Sequence, residues 1–466
     1  MTHQTSKDAD AEQGVEERTH PATRVRLGAV VSVMLIFLAV VAVIATRGVA
    51  TYRIAADQDL FHLPVVRQFA EQWPRPDLKN YASATTPGYH LLMAAVARYV
   101  SPDLAVLRIA GGVFGVLFVA LLAWAASVRS AWLALPAALS VYVLSSTVWL
   151  LPENAAWAFV TLALVLALRA NGAILFAGSA VTFAALIAVR QTHVWTFTTL
   201  MAASYSLSRY AGGGRGSADF EPLLHAEAPL PNSSPAYRER RRILRLMAFT
   251  GIAILPASLI LLAFVNLWHG LTPPAFQPNS ATTLPLATRT GGLAPGAPAM
   301  LLAVLGVFGV PLLAWLWPGG TRKKRLHLLL FGATLGLLIG LVPNSVYDTN
   351  NRSGLWNAVR MLPTFAGRSP LFVALSTAGG VVAVFAIAAL TGRSRLVLST
   401  ALVGFAVVQM TNPSLWQRYY EPFALLWLAL AASEVRGASS TRVWQAVGLT
   451  AVGAMQLAVV VLTLRG

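Results

Sequence analysis

The chain has 466 residues, of which 56% are hydrophobic and only 11% are charged. Soluble domains carry about a quarter charged residues, so this composition excludes an ordinary soluble globular protein. The formal net charge is +17, but the lysines and arginines lie in short clusters between apolar runs, as membrane topology requires, which argues against nucleic-acid binding. The chain has no cysteine, which excludes disulfides, thiolate metal sites and a cysteine nucleophile.

The N-terminal region predicts a cytosolic tail followed by a retained membrane span. Residues 1–23 are polar and predict a disordered tail. The first apolar run, 27–45, follows too long a leader and lacks a small-residue cleavage site, so it is not typical of a signal peptide. Arg24 and Arg26 before it place the N-terminus in the cytoplasm. The polar stretch 46–90 then predicts an outer loop of catalytic type.

The other apolar runs are long enough to cross about 30 Å of hydrocarbon as helices. Lipid offers no partner to exposed backbone groups, so helices are predicted and open strands are not. The sequence therefore predicts an all-α, polytopic membrane protein with one multi-spanning domain, 24–466, and about thirteen transmembrane helices. After the first run, the predicted spans are 104–126, 132–151, 155–168, 172–189, 194–209, 245–267, 297–317, 325–342, 370–391, 396–411, 419–433 and 443–463.

The distribution of positive charge supports this count. The basic clusters at 238–245, 322–325 and 393–395 all fall in loops that the count makes cytoplasmic, whereas the outer loops carry mostly isolated charges. A wrong count anywhere would invert this bias downstream. The stretch 211–243, rich at its start in Gly, Pro and Ser, predicts a flexible cytosolic insertion.

Five polar segments from distant parts of the chain fall on the predicted outer side. Charged groups near lipid are costly to keep, so their convergence predicts a functional site near the outer membrane surface. The segments are 57–62, 85–88, 190–193, 344–352 and 417–421.

The residue types in these segments suit transfer from a lipid-phosphate donor. A carboxylate, Asp57 or Asp59, can take the proton from an acceptor hydroxyl. The three-residue spacing from Asp59 to His62 predicts that both lie on one helical face. Arginine and histidine can neutralise a leaving phosphate, and arginine can grip it bidentately. The candidates for this second role are Arg190, Arg352, Arg418 and His62.

Each segment also has a structural interpretation. An aspartate in a polar loop can simply be solvated, Arg190 can extend to the headgroups, and Arg418 with its neighbouring tyrosines can anchor the interface. The Thr-Thr-Pro-Gly segment can be a turn before a helix. Asp57, His62 and Glu71 have no distinctive ligand spacing, so no cofactor is predicted, and a divalent metal at these residues stays open as an alternative.

Taken together, the segments resemble those of the membrane-embedded alpha-1,2-glucosyltransferases, which use dolichyl-phosphate glucose to add the last glucose to the N-glycan lipid precursor. Order and spacing agree over about residues 28–435. The family's Asp-Glu pair falls on Gln58-Asp59, so Asp59 and Asp57 both stay open as the base, and His193 stands where an asparagine is expected. The matching segments are Asp59-Leu-Phe-His62, Thr85-Thr86-Pro, Arg190-Gln191-Thr, Tyr347-Asp348-Thr-Asn-Asn351-Arg352 and Arg418-Tyr419.

The resemblance implies a C-type glycosyltransferase (GT-C) fold and a polyprenyl-phosphate sugar donor. It implies inverting transfer of a hexose, glucose in the family, to a lipid-linked or envelope glycan on the non-cytoplasmic side. The composition is typical of a prokaryotic cell-membrane protein, which leaves the sugar and the acceptor open. The implied substrate and phosphate contacts are His62, Thr85, Thr86, Arg190, Gln191, Asp348, Asn351, Arg352, Arg418 and Tyr419.

A multi-spanning transporter or lipid flippase is the alternative class. It predicts ionisable residues near the midplane of several spans, whereas the predicted spans here are nearly free of charge and the polar segments gather at one rim. An enzyme-like scaffold without activity is a third interpretation, because the acidic pair is altered.

Overall fold

The structure, a computed structural model, describes residues 21–46, 53–210, 234–277, 293–342, 354–412, 415–435 and 442–465. Within these ranges the regular structure is helical, and the single β-bridge, Phe365 with Arg368, is isolated. The prediction of an all-α protein is confirmed at this level.

The helices of the N-terminal half include segments of the predicted outer loop and the first apolar runs. Non-α helical turns precede three of them: a π-helix over Gln58–His62 and 3-10 helices over Ala131–Ala134 and Gln191–Thr196. The α-helices are α1 Pro21–Thr46, α2 Arg53–Asp57, α3 Leu63–Glu71, α4 Gly88–Tyr99, α5 Leu104–Ala126, α6 Leu135–Ala138, α7 Val141–Val148, α8 Glu153–Arg169, α9 Gly172–Val189 and α10 Phe197–Tyr210.

The C-terminal half continues as a bundle of mostly long helices. Short 3-10 helices lie at Pro274–Phe276 and Pro311–Ala314. The α-helices are α11 Pro235–Trp268, α12 Ala297–Gly309, α13 Arg322–Gly340, α14 Gly354–Arg360, α15 Pro370–Ala389, α16 Gly392–Gln409, α17 Gln417–Glu434 and α18 Arg442–Arg465.

Six described helices are long and apolar enough to cross a membrane, and a bent pair makes up to seven. The N-terminal one has a mean hydropathy of 3.0, and exposed apolar side chains such as Ile109, Val181 and Leu338 point away from the bundle. Such surfaces are stable in lipid and costly in water. The described chain is thus a helical membrane protein. The six segments are Arg26–Thr46, Leu104–Ala126, Gly172–Val189, Glu239–Trp268, Pro370–Ala389 and Arg442–Thr463.

The predicted span over 132–151 contains a sharp bend. The chain there bends by 71° between Ala131–Ala138 and Val141–Val148. Ser140, at the break, has an extended backbone (φ −61°, ψ 127°), and its hydroxyl donates to the buried carboxylate of Glu421 at 2.6 Å. The residue at the break thus makes a buried polar contact, which hydropathy does not reveal.

Three predicted irregular regions contain helix. The outer loop 46–90 is helical over 53–71, and α1 includes the last three residues of the predicted tail, 21–23. Residues 235–243 of the predicted insertion belong to α11, because Ser234 caps its N-terminus and Pro235 occupies the first turn. The remainders of the tail and the insertion, 1–20 and 211–233, lie outside the described residues.

Glycines let α15 approach both α12 and α13 closely. A Cβ on Gly379 would lie 1.7 Å from the carbonyl oxygen of Leu302, and one on Gly336 would lie 2.5 Å from that of Ser376. The Ser376 hydroxyl donates to the Gly336 carbonyl at 3.1 Å. Close backbone packing of this kind stabilises helix pairs in lipid, where apolar contact alone gives little drive.

Arginines cap helix C-termini at one end of the bundle, which we call the arginine-rich end. Arg129 donates to the carbonyls of Ala432 and Val435, at 2.8 and 3.0 Å, where α17 finishes. Arg393 donates to the carbonyl of Ala170, at 2.7 Å, where α8 finishes. Terminal carbonyls carry partial negative charge, so these contacts satisfy groups that the helices leave unpaired. The first residues of α8 and α17 therefore lie together at the other end, the site end.

Candidate functional site

Four charged side chains of alternating sign meet at the site end. Asp57 forms an ion pair with Arg418, and Glu153 pairs with Arg190 at 3.3 Å. Their side chains are only 13–23% exposed. Tyr419 joins the two pairs, because the guanidinium groups of Arg190 and Arg418 lie 5.2 and 5.1 Å from its ring centroid. We call these five residues the ion-pair cluster.

Helix ends position the members of the ion-pair cluster. Glu153 is the first residue of α8, near the positive end of that helix dipole. Arg190 directly follows α9 and leaves it with an extended backbone, beside the negative end. Arg418 lies in the first turn of α17, where a positive charge is unfavourable. The ion pair with Asp57 offsets that cost.

The two aspartates of the first outer segment have different surroundings. Asp57 is paired inside the ion-pair cluster, whereas Asp59 is exposed and accepts a hydrogen bond from the Gln58 amide at 2.8 Å. The buried Gln58 oxygen in turn accepts from Arg108 and from the backbone of Leu150, at 2.9 and 3.1 Å. The π-helix thus anchors Gln58 inward and leaves the Asp59 carboxylate accessible.

His62 does not share a face with Asp59, contrary to the prediction from spacing. His62 is 8% exposed, and its Nδ1 lies 2.9 Å from His90 Nε2. The π-helical turn changes the angular spacing of these residues from that of an α-helix. Burial, and then the positive charges of Arg190 and Arg418, lower the pKa of His62 to about 3. His62 is therefore neutral near pH 7 and supplies no positive charge to a phosphate.

Thr86 and Gln191 bond to each other and tie the segment before α4 to α9. The Thr86 amide donates to the Gln191 side-chain oxygen at 3.0 Å, and the Thr86 hydroxyl donates to the carbonyl of Ile187 at 2.7 Å. The Gln191 amide donates to the carbonyl of Ala84 at 3.0 Å. Both side chains use their polar atoms inside the protein, so they position the backbone.

Thr85 lies beside this junction. Its carbonyl accepts from the Tyr81 hydroxyl at 2.7 Å, and its own hydroxyl lies 3.2 Å from that of Ser83. These contacts again join neighbouring backbone segments.

The fourth predicted segment falls outside the described residues. Asp348, Asn351 and Arg352 all belong to 343–353. The chain resumes at α14, where the amide of Leu355 donates to the Gln417 side-chain oxygen at 2.9 Å. The start of α14 therefore lies next to the first turn of α17, beside the ion-pair cluster.

Sequence reasoning missed Glu153 and its neighbour Asn154. A signal was present, since Glu153 is the one charged residue between 131 and 168 and a lone charge between apolar runs marks a functional candidate. Glu421 was noted only as part of its segment. It is buried and accepts hydrogen bonds from Ser140, Gln417 and Gln456 at 2.6, 2.6 and 3.0 Å.

A small cavity opens beside the ion-pair cluster. Its water-accessible volume is about 10 Å³, close to what one water molecule needs. The lining residues come from the bent segment, α8 and α17: Tyr142, Ser146, Leu151, Glu153, Asn154, Trp157, Arg418 and Pro422.

The cluster can bind anions and polar groups. Its two arginines are balanced by two carboxylates, but each guanidinium has five N–H donors, and the Arg190–Glu153 pair engages one nitrogen of Arg190. An oxyanion or hydroxyl can therefore be bound without breaking that pair. Across the described ranges, no group of three or more His, Asp or Glu residues is placed to hold a metal ion.

Comparison with known proteins gives no match: no family model matches the chain, and neither a curated protein nor a solved structure is similar to it.

Proposed function

We propose that the protein is a membrane glycosyltransferase that transfers a hexose, glucose by resemblance, from a polyprenyl-phosphate sugar to a glycan or glycolipid acceptor. The observation that carries the proposal is the ion-pair cluster. It joins Asp57, Arg190 and Arg418, from three of the five polar segments, at one end of a membrane-embedded bundle. A site for a lipid-linked phosphate requires cationic donors at the end of the membrane domain, where the headgroup lies.

The proposed reaction is a single inverting displacement. The Asp59 carboxylate takes the proton of the acceptor hydroxyl as that oxygen attacks the anomeric carbon. The bond between the anomeric carbon and the phosphate oxygen breaks, and the lipid phosphate leaves with the electron pair. Arg190 and Arg418 stabilise the charge on the leaving phosphate through their N–H groups.

Asp59 is favoured over Asp57 as the base by its surroundings. The Asp57 carboxylate is engaged by Arg418, whereas Asp59 is exposed and accepts one hydrogen bond from a neutral amide. A base must be accessible to the acceptor hydroxyl. We assign Asp57 the role of holding Arg418 in place.

The proposal includes a GT-C-like fold with about thirteen crossings, a cytoplasmic N-terminus and a site facing the outer side. It is supported by the helix directions: α8 and α17 both run from the site end to the arginine-rich end, where Arg129, Arg169 and Arg393 lie. Positive charge is retained on the cytoplasmic side of membranes.

The first test is Asp59→Asn in protein reconstituted with a polyprenyl-phosphate hexose and an acceptor glycolipid extract. We expect transfer to fall by at least about a hundredfold, as for loss of a general base, with unchanged expression and thermal stability. Asp103→Asn, a substitution in an exposed aspartate near the same end, is the control. Full activity in Asp59→Asn would contradict the base assignment, and full activity in Asp57→Asn as well would exclude both aspartates.

Mass spectrometry of envelope glycans and glycolipids in a deletion strain tests the function itself. Loss of one hexose from a defined glycan is expected, and it names both donor class and acceptor. An unchanged glycan profile with altered export of a lipid would instead favour a transporter or flippase.

A further inference from the structure

Three residues that line the small cavity beside the ion-pair cluster each have a buried polar atom without a hydrogen-bond partner among the described residues. Glu153 Oε2, Asn154 Oδ1 and Arg418 Nε are each buried, and none of the three has a partner within the described part of the chain. All three residues line the cavity. Buried polar atoms are nearly always paired, so three unpaired ones around one cavity indicate that a polar group belongs there.

The orientation of Asn154 is fixed by its other contacts. The side chain is 1% exposed, and its nitrogen donates to the Val143 carbonyl at 2.9 Å and to the Thr147 hydroxyl at 2.8 Å. The Val143 carbonyl can only accept, so the amide nitrogen must face it. The unpaired atom of Asn154 is therefore a true acceptor.

The pattern of unpaired atoms is complementary to a hydroxyl group, whether of a sugar or of a water molecule. Glu153 and Asn154 offer acceptors, and Arg418 offers a donor. A hydroxyl donates one hydrogen bond and accepts others, so it complements this set. A phosphate oxygen can only accept and would be repelled by the Glu153 carboxylate, while a lipid chain would leave every polar atom unpaired.

We propose that this cavity is the subsite for one hydroxyl or hydroxymethyl group of the transferred hexose, with Glu153 and Asn154 as specificity-determining residues. The inference rests on the proposed function. Its geometry fits that role, because Arg418 belongs both to the cavity wall and to the ion-pair cluster. The sugar would then extend from the phosphate into the protein, with Asp59 free on the exposed side.

The test compares the binding of two lipids to purified protein in nanodiscs: a polyprenyl-phosphate hexose and the same polyprenyl phosphate without sugar. We expect Glu153→Gln to weaken binding of the sugar lipid by at least about tenfold, as for loss of a hydrogen bond to a charged group. Binding of the bare lipid phosphate should be retained or strengthened, because the substitution removes a negative charge beside Arg190 of the ion-pair cluster.

Two further variants complete the test. Leu151→Phe narrows the cavity without changing charge and should show the same selective loss. Glu434→Gln is the matched control, since Glu434 lies 3.8 Å from Arg169 at the arginine-rich end with similar exposure. Retained binding of the bare lipid shows that each variant is folded.

The outcomes separate the two proposals. An equal loss for both lipids in Glu153→Gln, or no loss for either, overturns the hydroxyl subsite while the proposed function stands; no loss for either is the result expected if a water molecule alone fills the cavity. If the unmodified protein binds neither lipid, the proposed function fails and the subsite fails with it.

Discussion

At the scale of single residues, the histidine pair next to the ion-pair cluster shows how burial sets protonation. His62 and His90 stack with ring centroids 5.2 Å apart and share one hydrogen bond. A single shared hydrogen bond requires that one nitrogen donates and the other accepts, so the pair exists only when at least one ring is neutral. Burial lowers the pKa of both rings.

The buried pair of His62 and His90 predicts that the folded protein becomes less stable in acid. The pKa of His62 is about 3 when folded and 6.5 without the protein environment, so between these values the unfolded state binds more protons. Stability therefore rises with pH across this window, is complete above about pH 6.5, and is lost as pH falls toward 3. The free energy of unfolding changes by up to about 1.4 kcal/mol per pH unit for each buried histidine.

Thermal unfolding in detergent, followed by tryptophan fluorescence from pH 7.5 to 4.5, measures this slope. The double substitution His62→Gln and His90→Gln should flatten it, whatever its effect on stability at pH 7. His327→Gln removes an exposed histidine and serves as the control. An equally steep slope in the double variant would mean that other groups cause the acid sensitivity.

The sequence predicts that Arg190 and Arg418 lie at the same end of the bundle, but it does not predict which side chains they contact. Charge bias places Arg190 and Arg418 on one side, and the structure brings both to the site end. The Asp57–Arg418 pair spans 361 positions in sequence, and lateral neighbours depend on helix packing that hydropathy does not encode. The inward turn of Gln58 depends on a π-helix, for which the sequence has no clear signal.

At the scale of helices, small residues decide which helices touch. One close approach is between α12 and α15, where Gly379 faces the backbone at Leu302. The lengths of α5 and α9 match the predicted spans, because continuous apolar runs report helix length directly. The face of α15 that packs against α12 follows instead from the position of Gly379.

Gly379→Ala should destabilise the α12–α15 contact. Its Cβ would overlap a backbone carbonyl that cannot rotate away, and overpacking of this kind costs about 1–3 kcal/mol. The matched control is Gly251→Ala in α11, where nothing lies within 4 Å of the added atom. That change should be neutral or stabilise by about 0.5–1 kcal/mol. Unfolding in a detergent titration gives both values, and equal effects would contradict the packing argument.

We expect the bend between α6 and α7 to depend on the hydrogen bond from Ser140, at the break, to Glu421 of α17. Glu421→Leu would leave the donors of Ser140, Gln417 and Gln456 without their acceptor, at a cost of about 1–3 kcal/mol for each buried group. Glu421→Gln keeps one acceptor and should cost less. Ser433→Ala, in the same helix, removes only a bond to a neighbouring turn and should cost about 1 kcal/mol or less. A stable, unchanged Glu421→Leu protein would show that apolar packing alone holds the bend.

At the scale of the whole molecule, the two ends of the bundle differ in chemistry. The arginine-rich end uses guanidinium groups to cap helix C-termini, as Arg129 and Arg393 do. In the ion-pair cluster at the site end, Arg190 and Arg418 are instead paired with carboxylates. Unneutralised arginine is costly to translocate, whereas an arginine already paired with a carboxylate presents less net charge. This asymmetry supports an outward-facing site end.

The absence of cysteine makes the orientation directly measurable, because a single introduced cysteine carries all the label. Lys79, near the site end, and Lys324, in the first turn of α13 at the arginine-rich end, are both exposed. We expect a membrane-impermeant maleimide to label Lys79→Cys in intact cells and to label Lys324→Cys only after permeabilisation. The unmodified chain should not be labelled in either condition. The reverse labelling pattern would place the ion-pair cluster on the cytoplasmic side. Asp59 would then face cytosolic acceptors, and the proposed reaction on the outer face could not occur.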